Sequence, residues 1–263
     1  MRILPICSSS KGNSAFIGEK NCGIVIDIGC SYKAFVGGLE KAGSSIEAVK
    51  AVLITHEHID HVRGLLQLTK RTDIPVYTSR LTLEYIINNG LAASGARLRT
   101  LDRLSEIPAD INAKFFRTSH DSVESVGYTL DFGSRKIGFC TDLGIVTDEV
   151  KKSIIGCDAV VLESNYDISM LAANPRYPAT LKKRISGNFG HLSNNMSGCF
   201  AAELIKSGAT QILLAHLSQE NNTPEKAYSS VCNCLSVEGI RNNMDCIISV
   251  APVMNTDGKY IAL

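Results

Sequence analysis

Three observations predict a chain of mixed helix and sheet. Short β-branched or apolar runs recur along its length, helical periodicity brackets clusters of those runs, and scarce polar residues sit where the runs end. Two packed sheets covered outside by helices would satisfy this pattern. A doubly wound α/β fold would also satisfy it, and periodicity alone does not separate the two. In chain order, ILPIC at 3–7 and AFIG at 15–18 read as strands flanking a turn-rich segment, followed by strands at 24–28, 51–55 and 76–78. Further strands are read at 114–118, 127–132, 136–141, 159–163, 211–215 and 246–250. Helical spacing fits 32–42, 62–71, 82–88, 148–154, 195–206 and 224–235. In the fifth of these, Met196, Cys199, Phe200 and Leu204 are expected to share one face, with Gly208 as the residue past its C-terminus. Thr223 and Pro224 read as the N-cap and first residue of the last helix.

The 263 residues admit one large domain or two small ones. With 44% hydrophobic and 20% charged residues, and no run of about 18 apolar residues, composition excludes disorder, collagen and an integral membrane protein. Lys plus Arg number 27 against 26 Asp plus Glu, so affinity for nucleic acid must come from a local patch. The nine cysteines are odd in number and scattered, with no CxxC pair, which reads as reduced, buried thiols in a cytoplasmic protein. The apolar stretch of MRILPICSSS is too short for a secretion signal, so no cleavage is expected. The absence of Trp and the low aromatic content argue against an aromatic nucleic-acid stacking platform such as an RRM.

There are six histidines, each at a strand end or in a loop after an apolar run. AVLITHEHIDHVRG places His56, His58, Asp60 and His61 in one short loop between a buried strand and a helix. Three imidazoles and a carboxylate suit zinc or a similar divalent ion, and one loop can aim them at two adjacent sites. His120 after KFFRTS, Asp142 after IGFCT and His216 after QILLA add ligand-type side chains at carboxyl ends of strands, where such scaffolds place chemistry.

With these residues the sequence resembles the metallo-β-lactamase superfamily, whose HxHxDH signature is matched from His56 to His61 and whose later motifs follow in order. CSSSKGNS at 7–14, LESNYD at 162–167, GHLSN at 190–194 and AHLSQENN at 215–222 resemble more narrowly the YycJ/WalJ exonuclease-like group. The resemblance implies an α+β fold, the four-layer αββα sandwich (metallo-β-lactamase fold), as a single domain over 1–263. It implies that His56, His58 and His120 hold one divalent metal, that Asp60, His61 and His216 hold the other, and that Asp142 bridges them. Zinc is the first expectation, with manganese or iron feasible for an all N/O set. An aspartate at 142, where many hydrolytic β-lactamases have cysteine, resembles the phosphodiesterase, lactonase and glyoxalase branches. The implied function is a dinuclear phosphodiesterase or nuclease acting on DNA, 5′-3′ exonuclease-like, with Asp60, His191 and Glu163 as catalytic residues.

His191, outside the ligand set, resembles the extra histidine that contacts the phosphate or protonates the leaving oxygen in phosphodiesterase members. Glu163 resembles the acid that orients it. No Asp or Glu occurs from Ile168 through Ala202, a stretch that contains His191, while Arg176, Lys182, Lys183 and Arg184 do, a candidate rim for substrate phosphates. Ser9 and Asn13 of CSSSKGNS are candidate substrate contacts, though a tight hairpin explains them equally well. That segment lacks GxxxxGK[ST], so nucleotide triphosphate binding is not expected. The 49 residues from Asp142 to His191 leave no room for a β-CASP-sized insertion. The competing readings are a thioester or lactone hydrolase using the same metals, and a non-catalytic nucleic-acid-binding module.

Overall fold

In the computed structural model, which describes residues 1–108 and 110–263, the chain opens with a hairpin: β1 (Arg2–Ser9) turns at Ser10 and Lys11 into β2 (Gly12–Glu19). Asn13 closes the turn, its Oδ1 accepting from Ser9 N at 3.2 Å and its Nδ2 donating to Ser9 O at 2.9 Å. β3 (Cys22–Ile26) runs antiparallel to β2. Helix α1 (Tyr32–Lys41), capped by the Ser31 hydroxyl, then delivers the chain to β4 (Val49–Leu53), parallel to β3. A single helical turn, α2 (Ile59–Val62), and α3 (Leu65–Arg71) lead to β5 (Val76–Thr78), and α4 (Arg80–Asn88) leads to β6 (Leu98–Thr100). Leu4, Ile6, Phe16, Val25, Val52, Phe35, Leu39 and Leu65 form the core beneath these elements. Each such buried aliphatic or aromatic side chain contributes about 1.5–3 kcal/mol.

Beyond β6 come β7 (Asn112–Arg117), β8 (Val126–Asp131), β9 (Lys136–Cys140), α5 (Asp148–Ile154) and β10 (Ala159–Glu163). They are followed by α6 (Ile168–Ala173), α7 (Ala179–Ile185), α8 (Asn194–Lys206), β11 (Gln211–Ala215), α9 (Pro224–Val237) and β12 (Ile247–Val250). Their sheet runs β12-β11-β10-β9-β8-β7, with β9 to β12 all parallel. Leu162 lies level with Cys140, and Glu163 with Ala215, so three strands end at one height. The core here is built from Val150, Val160, Leu162, Phe200, Leu204, Leu214 and Val231. The chain finally returns to its beginning: β13 (Ile261–Ala262) pairs antiparallel with β1, completing the sheet β13-β1-β2-β3-β4-β5-β6. Asn255 ties the return down by donating to Pro5 O at 2.9 Å. By packing, one unit comprises Met1–Phe115, Ser122–Val126 and Pro252–Leu263, and the other Phe116–Asp121 and Gly127–Ala251.

Several expectations need correction. The helix expected over 62–71 is broken, because Gly64 donates its N–H to Ile28 O at 2.7 Å and a Cβ there would overlap Cys30 O. The expected face of α8 is wrong in part: Phe200 and Leu204 are buried, but Met196 and Cys199 are exposed, and Ser197, Gly198, Ala201 and Ala202 complete the buried side. Small residues on that side admit α9 closely; a Cβ at Gly198 would come 2.7 Å from Cys234 Sγ. The short elements β6, α6, α7 and β13 carried no periodic signal. All nine cysteines are free, and five of them are buried.

Candidate metal centre

In the first unit, Asp27 is the anchor of the histidine loop. It follows β3 in a left-handed conformation (φ 59°) and is fully buried. Its Oδ1 accepts from Thr55 N at 2.8 Å, and its Oδ2 accepts from Thr55 Oγ1 at 2.9 Å and lies 2.7 Å from His61 Nδ1. Burial raises the Asp27 carboxyl above its ordinary range against the lowering pull of His61 and Thr55. With Nδ1–H donated to Asp27, His61 keeps a lone pair on Nε2, which lies 3.3 Å from the Asn13 amide nitrogen. The same amide donates to Asp60 Oδ2 at 3.3 Å. His56 Nδ1 lies 3.0 Å from Thr55 Oγ1, and its ring centroid is 4.1 Å from that of His61 and 4.5 Å from that of His58. His56 and His61 are buried, whereas His58 and Asp60 are half-buried and face solvent in part. Glu57, the spacer in HEH, accepts from Val123 N at 3.0 Å and fixes the loop from outside.

Gly29 makes this loop possible. Its N–H donates to Asn13 O at 2.7 Å, and a Cβ would overlap Asp60 O and approach Asn13 N to 2.5 Å. Gly29→Ala is therefore expected to cost about 1–3 kcal/mol through overpacking. A thermal melt should show a fall in Tm of several degrees; an unchanged Tm would mean that the loop yields freely.

The second unit places its residues at the level ends of β9, β10 and β11. Asp142 and His216 follow β9 and β11 in left-handed conformations (φ 60° and 57°), and Glu163 ends β10. Glu163 is fully buried and accepts four hydrogen bonds. Oε1 takes Nδ1–H of His191 and of His216, both at 2.8 Å, and Oε2 takes Leu143 N–H at 2.9 Å and Leu192 N–H at 3.0 Å. Burial alone would raise this carboxyl, but the His191 and His216 imidazoles hold it well below the usual carboxylate range. Asp142 Oδ1 is 3.4 Å from His216 Nδ1, 3.5 Å from His120 Nε2 and 3.7 Å from His191 Nδ1. His120 Nδ1 donates to Gly190 O at 3.0 Å. Burial lowers the His120 pKa, opposed by Asp142, and so favours a neutral imidazole. Asp142, Glu163, His191 and His216 can each offer one ligand atom, all within 4.8 Å of one another. Cys140, buried in β9, has its thiol pushed well above the usual range by burial and by the Glu163 and Asp142 carboxylates.

A buried amide network fixes the loops that carry these groups. Asn165 Nδ2 donates to His216 O at 2.8 Å, and Asn222 Nδ2 donates to Ser164 O at 2.9 Å and to Asn194 Oδ1 at 2.9 Å. Sequence reasoning passed over Asn165 and Asp27. For Asp27 the signal was present as a lone acid inside the apolar run IVIDIG. The acid-free stretch is compensated in space: Arg176 pairs with Glu220, Arg184 pairs with Asp121, and Lys182 donates to Ala172 O at 2.6 Å. Lys183 is exposed on α7.

Residues 24–216 match the model of the beta-lactamase superfamily domain. The chain is 35% identical over 237 residues to exodeoxyribonuclease YycJ of Bacillus anthracis, covering 89% of each chain. It is 29% identical over 234 residues to exodeoxyribonuclease WalJ of Streptococcus pneumoniae serotype 2, covering 88% of this chain and 87% of that one. Among solved structures, zinc-bound PqqB of Methylobacterium extorquens superposes over 100% of both chains with a TM-score of 0.70 at 16% identity, which shows the fold. That fold is the expected α+β metallo-β-lactamase sandwich. Level strand ends carrying buried His and Asp, together with this match, lead to one conclusion: the chain belongs to the metallo-β-lactamase superfamily, as a YycJ-like metal-dependent hydrolase.

Proposed function

We propose that this hydrolase is a dinuclear phosphodiesterase that degrades DNA as a 5′-3′ exonuclease in the cytoplasm. The observation that carries the reading is the shared grip of Glu163. One carboxylate oxygen accepts from His216, a candidate ligand, and also from His191, which the ligand pattern leaves over. The names of the relatives YycJ and WalJ support the same substrate class. In this reading His56, His58 and His120 hold one ion, Asp60, His61 and His216 the other, and Asp142 bridges, with zinc the first choice and manganese or iron alternatives. The donor set fits such ions. His61, His120 and His216 each direct Nδ1 to an oxygen of Asp27, Gly190 or Glu163, which turns the Nε2 lone pair outward as a ligand.

Bound divalent ions supply Lewis acidity, lowering the pKa of water and neutralising charge added at phosphorus. The chain's own residues do the rest. The His191 side chain is 20% exposed against 2% for His216, so of the two imidazoles bound to Glu163 it is the one that substrate can reach. Glu163 fixes its Nδ1–H and so leaves Nε2 to meet a phosphoryl oxygen or the leaving alkoxide. Asp60, oriented by Asn13, would serve as a ligand, while Ser9 and Asn13, both buried in the hairpin turn beside it, are the candidate substrate contacts. Arg176, Lys182, Lys183 and Arg184 form the rim that tracks the phosphate backbone.

Metal-reconstituted protein should contain close to two equivalents by elemental analysis and hydrolyse bis(p-nitrophenyl) phosphate and 5′-end-labelled DNA in preference to thioesters, lactones and a β-lactam. A ceiling of one equivalent removes the dinuclear assignment. Turnover of thioesters or lactones alone transfers the site to small-molecule hydrolysis.

A further inference from the structure

Phe189 stands out in the second unit. Its side chain is 66% exposed, whereas Phe116, Phe139 and Phe200 of the same unit are buried. An exposed ring is ordinarily a loop residue of no consequence, but the backbone of this one is immobilised and lies against the candidate catalytic groups. Phe189 O accepts from Asp121 N at 3.0 Å, Gly190 N donates to Gly187 O at 2.9 Å, and His191 N donates to Ile185 O at 2.8 Å. Ser119 donates its hydroxyl to Asn188 O. Gly144, two residues past Asp142, packs so closely that a Cβ there would overlap Asn188 O and come 2.5 Å from Phe189 N. The next residue, Gly190, receives the His120 hydrogen bond, and the one after is His191. The segment 188–190 is thus a rigid bracket that holds an aromatic ring in solvent one residue from the His120 contact and two from His191. The cationic helix α7 immediately precedes it.

We propose that Phe189 is a stacking platform for an unpaired nucleobase of the substrate next to the scissile phosphate, and therefore selects strands with single-stranded ends. With the backbone already fixed, only the two side-chain torsions of the ring are ordered when a base covers it, and every base presents a face to stack on. This inference rests on the nuclease reading given above.

The test measures binding apart from turnover. An oligonucleotide carrying 2-aminopurine at successive 5′-terminal positions is titrated into metal-free protein, and its fluorescence quenching and Kd are followed. Phe189→Ala should abolish quenching at one position and weaken binding about 5- to 100-fold, while Phe189→Trp should preserve both. With metal-loaded protein, the same Ala change should raise KM for single-stranded DNA and leave kcat nearly intact. An abasic nucleotide at the quenched position should make wild type and Phe189→Ala alike. Equal Kd and equal quenching in the Ala, Trp and wild-type proteins would overturn the stacking role while leaving nuclease activity in place. Phe189-dependent quenching without DNA cleavage would uphold stacking and remove the exonuclease reading. Failure of the wild type to bind the oligonucleotide would remove both.

Discussion

Glu163→Gln is expected to cost both metal affinity and turnover, because the carboxylate is an acceptor toward four donors and an amide has only one acceptor atom. If the amide oxygen faces Leu143 N–H and Leu192 N–H, the amide nitrogen meets Nδ1 of His191 and His216. Both imidazoles must then move the proton to Nε2, which stops His216 from offering a lone pair there. If the amide turns over, two buried N–H groups lose their partner, at about 1–3 kcal/mol each. Metal affinity should fall roughly 10- to 100-fold, the usual effect of removing a group that orients a ligand, and activity on a phosphodiester should fall with it. Competition against a chelator and steady-state rates check this. Unchanged affinity would mean that His216 is not oriented through Glu163. The carboxyl is held below its ordinary pKa in the folded protein, so its stabilisation is present above about pH 4.3 and is withdrawn as pH falls toward the folded value. The Tm gap between wild type and Glu163→Gln should accordingly narrow on acidification.

His191→Ala is expected to separate chemistry from metal binding. The side chain is partly exposed and bound to the protein through Nδ1 alone, so its loss should leave fold and metal content near normal. The rate on a phosphodiester should fall roughly 10²- to 10⁴-fold, the worth of a positioned acid or base. A role in protonating the leaving oxygen predicts a smaller defect with p-nitrophenolate, which departs with little need of a proton. A uniform defect across leaving groups assigns His191 to the phosphoryl oxygens instead. Loss of a metal equivalent would exchange the roles of His191 and His216, an outcome that the common grip of Glu163 on both makes worth measuring.

The parts of this molecule that were legible in the sequence are those whose signal is local. AVVLE and QILLA declared themselves as strands because buried parallel strands are continuous apolar runs. HEHIDH stood out because scarce histidines were crowded into one loop. What escaped was non-local. Asp27 lies 34 residues from the imidazole it orients, and Asn165 lies 51 from His216. Neither has a spacing that sequence periodicity can register. The acidic neighbours of the acid-free run were hidden for the same reason, since Asp121 and Glu220 reach Arg184 and Arg176 from outside the window. The break at Gly64 belongs to this class too, a helix interrupted because Ile28 needs its N–H.

The pairing of β13 with β1, and the bond from Asn255 to Pro5 O across 250 positions, set the order in which the protein can be made. Residues 2–100 supply six of the seven strands of their sheet early in translation, yet one edge of β1 stays bare until residues 252–263 leave the ribosome. For that interval the nascent chain carries a strand with one unpaired edge, although all its residues are buried in the folded protein, the kind of edge that recruits other chains. Closure over so long a loop also places the sheet among slow folders. A nascent chain stalled before residue 252 would therefore hold that edge of β1 open to intermolecular pairing, which a chain that includes β13 closes.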